Sequence, residues 1–313
     1  MKSYIEGSGG AYTEIRRLIQ LRYAVHEMED LSLPRSTNPL SGLLTSRFQG
    51  RGIDFSEVRV YQPGDDVRTI DWRVTARTRT PHTKLFQEEK ERPVLVLVDQ
   101  SHSMFFGSKL AFKSVLAAEA AALIAWTTLD RGDRVGGIVF SDSQHREVRP
   151  RRSKHSVLRL LHEIDDFNHR LNREHDQQSI SYLADAMSRV RRVAKHGSAV
   201  FVVSDFRNFD HQARVHLRQL SQHNDIVGVM ISDSLEQQLP APDVYTITNG
   251  ATKTKINTAK GEYREQYAGA YETFVNGISN EFARIKCPLL QLHTHNPLVQ
   301  SLPAEFAKLA ARS

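Results

Sequence analysis

From Pro93 onward, the apolar positions of this chain form two alternating patterns. Short continuous runs rich in valine and isoleucine predict buried strands, and segments with apolar residues three and four positions apart predict helices. This alternation indicates an α/β fold, a mainly parallel sheet covered by helices on both faces. The predicted strands are Val94–Asp99, Val135–Phe140, Ala199–Ser204, Ile226–Ile231 and Leu289–His293. The predicted helices are Lys109–Leu129, Ser156–Ile164, Ser181–Val193, His211–Ser221, Tyr263–Ile285 and Pro303–Ala311, the last with its proline in the first turn.

Two departures from this alternation are antiparallel. His145–Arg149 is placed to return beside the second strand, and Asp243–Asn249 with Thr252–Asn257 reads as a hairpin joined at Asn249-Gly250. Before Pro93 the pattern differs: a helix is predicted from Ile15 to Val25, and residues 53–92 are charged and rich in turn signals. We therefore divide the chain into an N-terminal segment, 1–92, and an α/β domain, 93–313.

Composition narrows the function classes. Hydrophobic residues make up 40% of the 313 positions and charged residues 25%, as in an ordinary globular protein. The formal charge is +6, and the basic residues are spread along the chain but locally dense in residues 146–154 and 189–195. No recognisable nucleic-acid-binding motif accompanies them, so we read them as solvated surface charge. We see no signal peptide or membrane-spanning stretch, and Cys287 has no partner for a disulfide. These features predict a cytoplasmic protein, with peripheral membrane association left open.

A candidate metal site follows the first buried strand. Asp99, Ser101 and Ser103 place a carboxylate and two hydroxyls at alternate positions, and Asp205 follows the strand Ala199–Ser204. In a doubly wound sheet these strand ends meet at one edge, where ligands bind. Ser181 or Ser179 is placed to add a third hydroxyl. Mg²⁺ prefers oxygen ligands and retains waters, with Mn²⁺ or Ca²⁺ as alternatives. A partly neutralised ion would accept a carboxylate from a partner protein.

Two other interpretations of the same residues stay open. Serine and aspartate after a strand are frequent in turns and as helix N-caps. A metal-dependent hydrolase using the same oxygen cluster is the enzymatic alternative, although no general base is evident beside the cluster. The sequence contains neither G-x-x-x-x-G-K-[ST] nor a G-x-G-x-x-G after a strand, which argues against a nucleotide-binding enzyme.

Residues 47–104 resemble the domain-of-unknown-function 58 family of bacterial proteins. The ordered motifs are G-x-x-F, R-x-Y, P-G-D-D-x-R, I-D-W, A-R and D-x-S-x-S-M, and the resemblance is closest over residues 40–140. It implies a Rossmann-like, von Willebrand factor A-like domain after a family-specific N-terminal segment. It also implies a metal-ion-dependent adhesion site formed by Asp99, Ser101, Ser103, Ser181 and Asp205. Serine at 181 replaces the usual threonine and lacks the methyl group that restricts its rotamer.

The resemblance also implies a role beside MoxR-type AAA+ ATPases in the assembly, maturation or activation of protein complexes. We therefore expect a non-enzymatic adaptor that binds a partner's acidic residue through the metal.

The family's other signature comprises Gly64, Asp65, Asp66, Arg68, Asp71, Trp72 and Arg77. It has two interpretations. In the structural one, which we favour, Trp72 and Ile70 anchor the segment on the sheet and Asp–Arg pairs fix its conformation. In the other, the signature is a second partner surface.

Overall fold

The computed structural model describes residues 9–31, 54–62, 65, 67, 70–87, 93–171, 182–248 and 253–310. The chain divides into two compact units, Ser46–Glu91 and a larger one made of Met1–Thr45 with Arg92–Ser313. These units differ from the predicted segments 1–92 and 93–313, because residues 1–45 group with the larger unit. Leu18 and Leu21 are fully buried in the core of the larger unit. Compactness does not test the family-specific division, which stays a prediction.

The strands and helices of the described residues are as follows. The strands are β1 Asp54–Val60, β2 His82–Gln87, β3 Pro93–Asp99, β4 Arg134–Phe140, β5 His145–Arg151, β6 Ala199–Ser204, β7 Asp225–Ser232, β8 Val244–Thr248, β9 Lys253–Asn257 and β10 Leu289–His293. The helices are α1 Ile15–Leu31, α2 Trp72–Thr78, α3 Lys113–Asp130, α4 Lys154–His169, α5 Tyr182–Val193, α6 His211–Ser221, α7 Ser234–Gln237, α8 Gly261–Arg284 and α9 Leu298–Ala310.

The larger unit is built on a six-stranded sheet in the order β10-β7-β6-β3-β4-β5. Only β5 runs antiparallel within this sheet, beside β4. Alternate residues of β3 enter two separate cores, Val94, Val96 and Val98 on one face and Leu95 and Leu97 on the other. Helices α1, α3, α4 and α9 cover the first face, and α5, α6 and α8 cover the second. The predicted doubly wound α/β fold is confirmed.

The strand order creates a crevice between β3 and β6. From β3 the chain crosses one face through α3 to reach β4, and from β6 it crosses the other face through α6 to reach β7 on the opposite side. The helices leave the neighbouring strand ends in opposite directions, so this is the topological switch point at which open α/β sheets bind ligands. Asp99 ends β3 and Asp205 follows β6 at this point.

Helix α3 is almost entirely buried, as its alanine- and leucine-rich sequence predicts. Its one glutamate, Glu119, is 2% exposed and pairs with the buried Arg17 of α1, Nε to Oε1 3.1 Å. Trp126 donates from Nε1 to the Leu18 carbonyl at 3.0 Å. These contacts join α1 to α3. No helix among the described residues has the length and apolar character needed to cross a membrane.

Two predicted helix starts are wrong by four and five residues. Helix α3 begins at Lys113 rather than Lys109, because residues before it form a tight loop in which a side chain at Gly107 would collide with the backbone of Ala111 and Phe112. Helix α9 begins at Leu298, directly after Pro297, so Pro303 lies inside the helix and not in its first turn. The amides of Gln300 and Ser301 donate to the Pro297 carbonyl and form that first turn.

The smaller unit pairs β1 with β2 antiparallel and carries α2 between them. The sequence indicated only turns and charge here. Asp71 caps α2 by accepting hydrogen bonds from the Arg73 and Val74 amides, and Arg59 pairs with Asp65 at 2.7 Å. The interpretation that Trp72 and Ile70 anchor this segment on the sheet stays a prediction. Gly64, Asp66 and Arg68 lie outside the described residues.

Candidate functional site

The D-x-S-x-S segment turns sharply at the end of β3. Asp99 is 3% exposed, and its Oδ1 accepts a hydrogen bond from the Ser101 amide at 2.9 Å. A 3₁₀ turn over His102–Met104 follows, and the Ser101 and Ser103 hydroxyl oxygens lie 3.2 Å apart. Ser101 is the N-cap residue of this turn but its side chain makes no capping hydrogen bond. The capping interpretation therefore does not explain the Ser101 hydroxyl.

Strand β6 brings Asp205 to the same place. The Ser204 hydroxyl donates to Asp99 Oδ2 at 2.6 Å and accepts from the Phe206 amide at 3.0 Å, so it joins the two strand ends. Asp205 is 3% exposed, and its Oδ1 accepts from the Arg207 amide at 3.0 Å. Phe206 has a positive φ of 55°, a conformation uncommon for a bulky residue, and its ring is buried against Phe209 and Phe282.

The two carboxylates interact electrostatically. Burial, and after it the negative charge of Asp205, raise the pKa of Asp99 to about 7 against the hydrogen bonds from Ser101 and Ser204. Two buried carboxylates in mutual repulsion, with two serine hydroxyls beside them, form an all-oxygen donor set. Such a set fits a hard divalent cation, whose charge would relieve the repulsion.

The structure brings together four of the five predicted ligands: Asp99, Ser101, Ser103 and Asp205. Ser181, and with it the alternative Ser179, lies outside the described residues. Among the described residues, no group of three or more His, Cys, Asp or Glu side chains is placed to hold a metal ion. A metal at this edge would therefore depend on the serine hydroxyls in addition to the carboxylates.

Lys113 is the most important residue that the sequence reasoning missed. It is the first residue of α3 and 1% exposed, and its Nζ lies 2.7 Å from Asp205 Oδ2 and 2.7 Å from Glu236 Oε1. Burial alone would lower the pKa of Lys113, but the charges of Asp205 and Glu236 raise it above its ordinary value. The lysine is therefore an ammonium ion beside the candidate metal site.

Neighbouring polar residues hold the first motif in place. Asp142, in the loop after β4, accepts a hydrogen bond from the His102 amide at 2.6 Å. Gln100 is fully buried, donates to the Ser114 carbonyl and accepts from the Asn168 side chain. Asp142 lies outside the recognised motifs, and Gln100 occupies a variable position of D-x-S-x-S. The continuous apolar run before Gln100 was the one sign that its side chain would be buried.

One protein family matches most of this chain. The model of the family described as "Protein of unknown function DUF58" matches residues 57–274, about 70% of the chain. The chain belongs to this family. The match continues well beyond residue 140, where the range of closest sequence resemblance ends, and it includes the end of β3 and the end of β6.

Two mycobacterial proteins are similar to this chain over most of their length. The uncharacterized proteins Rv1480 of Mycobacterium tuberculosis and Mb1516 of Mycobacterium bovis are each 27% identical to this chain over 249 residues. Each alignment covers 78% of this chain and 76% of the relative.

Solved structures similar to this DUF58 chain include von Willebrand factor A domains. BatB of Bacteroides thetaiotaomicron has 15% identity and a TM-score of 0.39, covering 70% of this chain and 99% of its own. The von Willebrand factor type A protein of Catenulispora acidiphila has 12% identity and a TM-score of 0.36, covering 72% and 44%. Both scores are below 0.5, so the fold assignment depends on the strand order and directions described above.

Proposed function

We propose that this protein is a non-enzymatic, cytoplasmic adaptor that binds a partner protein through a divalent metal ion, Mg²⁺ being the first candidate. The observation that carries the proposal is that Asp99 and Asp205, both buried, meet at the switch point. Beside them lies the Ser101 hydroxyl, which makes no capping hydrogen bond. Asp99, Ser101, Ser103 and Asp205, with Ser181, would hold the ion. The ion would supply a positive charge for an acidic side chain of the partner.

The first partner to test is a MoxR-type AAA+ ATPase from the same organism, because the family resemblance implies that pairing. A client protein that supplies an acidic residue is the second. In this role the adaptor contributes a binding surface, and the ATPase contributes the energy for assembling or activating the client complex. Membership of the DUF58 family is compatible with a protein-interaction role.

The proposal is tested by capture of the purified ATPase on the immobilised full chain. Capture is expected in Mg²⁺, to be lost with EDTA and to return when Mg²⁺ is restored in excess. Asp99→Ala is expected to abolish the Mg²⁺-dependent capture and to leave the far-ultraviolet circular dichroism unchanged. Asp130→Ala is the matched control, because Asp130 is an exposed aspartate at the other end of α3.

Two results would count against the proposal. Equal capture with Mg²⁺ and with EDTA would remove the metal from the mechanism. Equal capture by Asp99→Ala and Asp130→Ala would place the contact elsewhere on the protein. Ser101→Ala deletes only one hydroxyl, so it tests the same site with little risk to folding, and reduced capture is expected.

A further inference from the structure

Lys113 is a buried cation whose position the fold explains only in part. An ammonium ion is costly to bury unless it is paired, and Lys113 is paired twice, with Asp205 and with Glu236. Asp205 is also a proposed ligand of the metal. The Asp205 carboxylate therefore pairs with Lys113, a permanent cation of the protein, and is also proposed to bind the metal cation.

The second partner of Lys113 leads away from the site. Glu236 lies in α7, where its Oε2 accepts from the Asp233 amide at 3.0 Å and completes a capping box. Its Oε1 accepts from Arg207 at 3.1 Å as well as from Lys113. Asp205, Lys113, Glu236 and Arg207 thus form a continuous chain of alternating charges, which we call the ion chain.

Glu236 controls how much of the lysine's charge Asp205 receives. The ammonium is shared between two carboxylates at equal distances of 2.7 Å, and Arg207 competes for Glu236 from the more exposed side. If Glu236 lost its charge, Lys113 would interact with Asp205 more strongly. If Lys113 lost its charge, Asp205 would have its full charge available for a metal.

We propose that Lys113 is an internal counter-ion that keeps the metal affinity of the free protein low and makes firm metal retention depend on the partner's carboxylate. This inference rests on the proposed function, since it concerns the same site. A divalent ion at Asp99 and Asp205 would meet two carboxylates, one of them already partly neutralised and with the ammonium repelling the ion. A carboxylate from the partner would then supply the missing negative charge.

The test compares Mn²⁺ binding to the full chain and its variants, measured by titration calorimetry and by electron paramagnetic resonance of the free ion. Lys113→Met removes the charge and leaves an unbranched side chain only one atom shorter, and about tenfold tighter Mn²⁺ binding is expected. Glu236→Gln is expected to weaken binding several-fold. Lys109→Met removes the same charge from an exposed position in the preceding loop, and unchanged binding is expected.

A double variant separates the local effect from the net charge. Lys113→Met with Glu236→Gln leaves the charge of the molecule unchanged but frees Asp205 from the ammonium, so binding tighter than that of the wild type is expected. It also removes the Glu236 charge together with that of the ammonium, so fewer buried charges remain in the ion chain, which makes it the variant to use if Lys113→Met alone does not fold. A purely structural role for Lys113 would not tighten metal binding in either variant.

The outcomes distinguish this inference from the proposed function. If the wild type binds Mn²⁺, Asp99→Ala abolishes that binding, and neither Lys113 variant binds more tightly, the inference is overturned and the metal site stands. If neither the wild type nor the double variant shows Mn²⁺ binding that Asp99→Ala removes, both fail. Tighter binding by Lys113→Met that Lys109→Met reproduces also overturns the inference, because it would be a general effect of charge.

Discussion

Helix α3 contains two buried charges that are paired in different ways. Glu119, in the middle of the helix, meets Arg17 in an ion pair whose two side chains are 3% and 9% exposed. Lys113, at the first position, is shared by two carboxylates and belongs to a chain that reaches the partly exposed Arg207. The first arrangement joins two helices in the core. The second lies at the switch point and includes a proposed metal ligand, so the same kind of interaction indicates structure in one place and ligand binding in the other.

The largest expected effect comes from breaking the core pair. Glu119→Ala removes one side of a buried ion pair, so a loss of about 3–5 kcal/mol in the free energy of unfolding is expected. Urea denaturation measures it. Arg17→Met with Glu119→Leu replaces both charges with apolar groups, and stability near that of the wild type is expected. A loss below about 1 kcal/mol for Glu119→Ala would show that the pair does not hold α1 to α3.

The second-largest expected effect is the difference in how much Mn²⁺ stabilises a variant of Lys113 and a variant of Glu119. Mn²⁺ at a hundredfold excess over its dissociation constant should stabilise a protein that binds it only when folded by about 2.7 kcal/mol. The Mn²⁺ concentration is set to a hundredfold excess over the dissociation constant of Lys113→Met. At this concentration Lys113→Met is expected to gain this much stability, and Glu119→Ala is expected to gain clearly less. Thermal unfolding with and without Mn²⁺ measures the difference. Equal gains in both variants would mean that Lys113 does not influence the metal.

Asp233 extends the comparison to a buried carboxylate held by neutral donors. Burial would raise the pKa of Asp233, but hydrogen bonds from Ser108, Thr294 and the Leu235 amide outweigh it and leave the pKa below its ordinary value. A lowered pKa means that ionised Asp233 stabilises the fold above pH about 4, and that this contribution is lost as the pH falls through the folded-state pKa.

Asp233→Asn is accordingly expected to cost about 2 kcal/mol at pH 7 and less below pH 4. Urea denaturation of both proteins across this pH range measures the difference. A difference that stayed constant with pH would assign the loss to packing and not to charge.

The smallest effect is expected at the surface. Asp166 and Arg170 form an i,i+4 pair on α4 in which both side chains are 52% exposed. Water and salt screen such a pair, so Asp166→Ala should change the free energy of unfolding by less than about 0.5 kcal/mol. Chemical denaturation at low and high salt checks this, and a loss above 1 kcal/mol would contradict the ranking by burial.

The sequence predicts the elements of the sheet well because their burial leaves a local trace. Ala199–Ser204 and Leu289–His293 are continuous or nearly continuous apolar runs, and the structure confirms both ranges. Helix starts are less predictable where a loop shares the composition of the helix. The apolar residues between Lys109 and Lys113 fit a helical pattern, but a close backbone approach at Gly107 holds them in a loop.

The candidate site likewise contains residues that the sequence predicts and residues that it does not. Asp99, Ser101, Ser103 and Asp205 are predictable because each follows a recognisable strand, and the strand order brings them together. Lys113 was missed because its partners lie 92 and 123 residues further along the chain. In sequence, a lysine at a helix start usually indicates a solvated end. Asp142 was missed for a similar reason, since its contact with the His102 amide spans 40 residues.

The outer strand β5 has a consequence for how this protein associates with others. Its exposed positions include Arg146, Glu147, Arg149 and Arg151, and Pro150 lacks an amide hydrogen. Charged side chains and proline on an edge strand discourage pairing with a further strand. The sheet is therefore protected on this side against edge-to-edge aggregation, and a partner that binds by adding a strand would have to approach elsewhere.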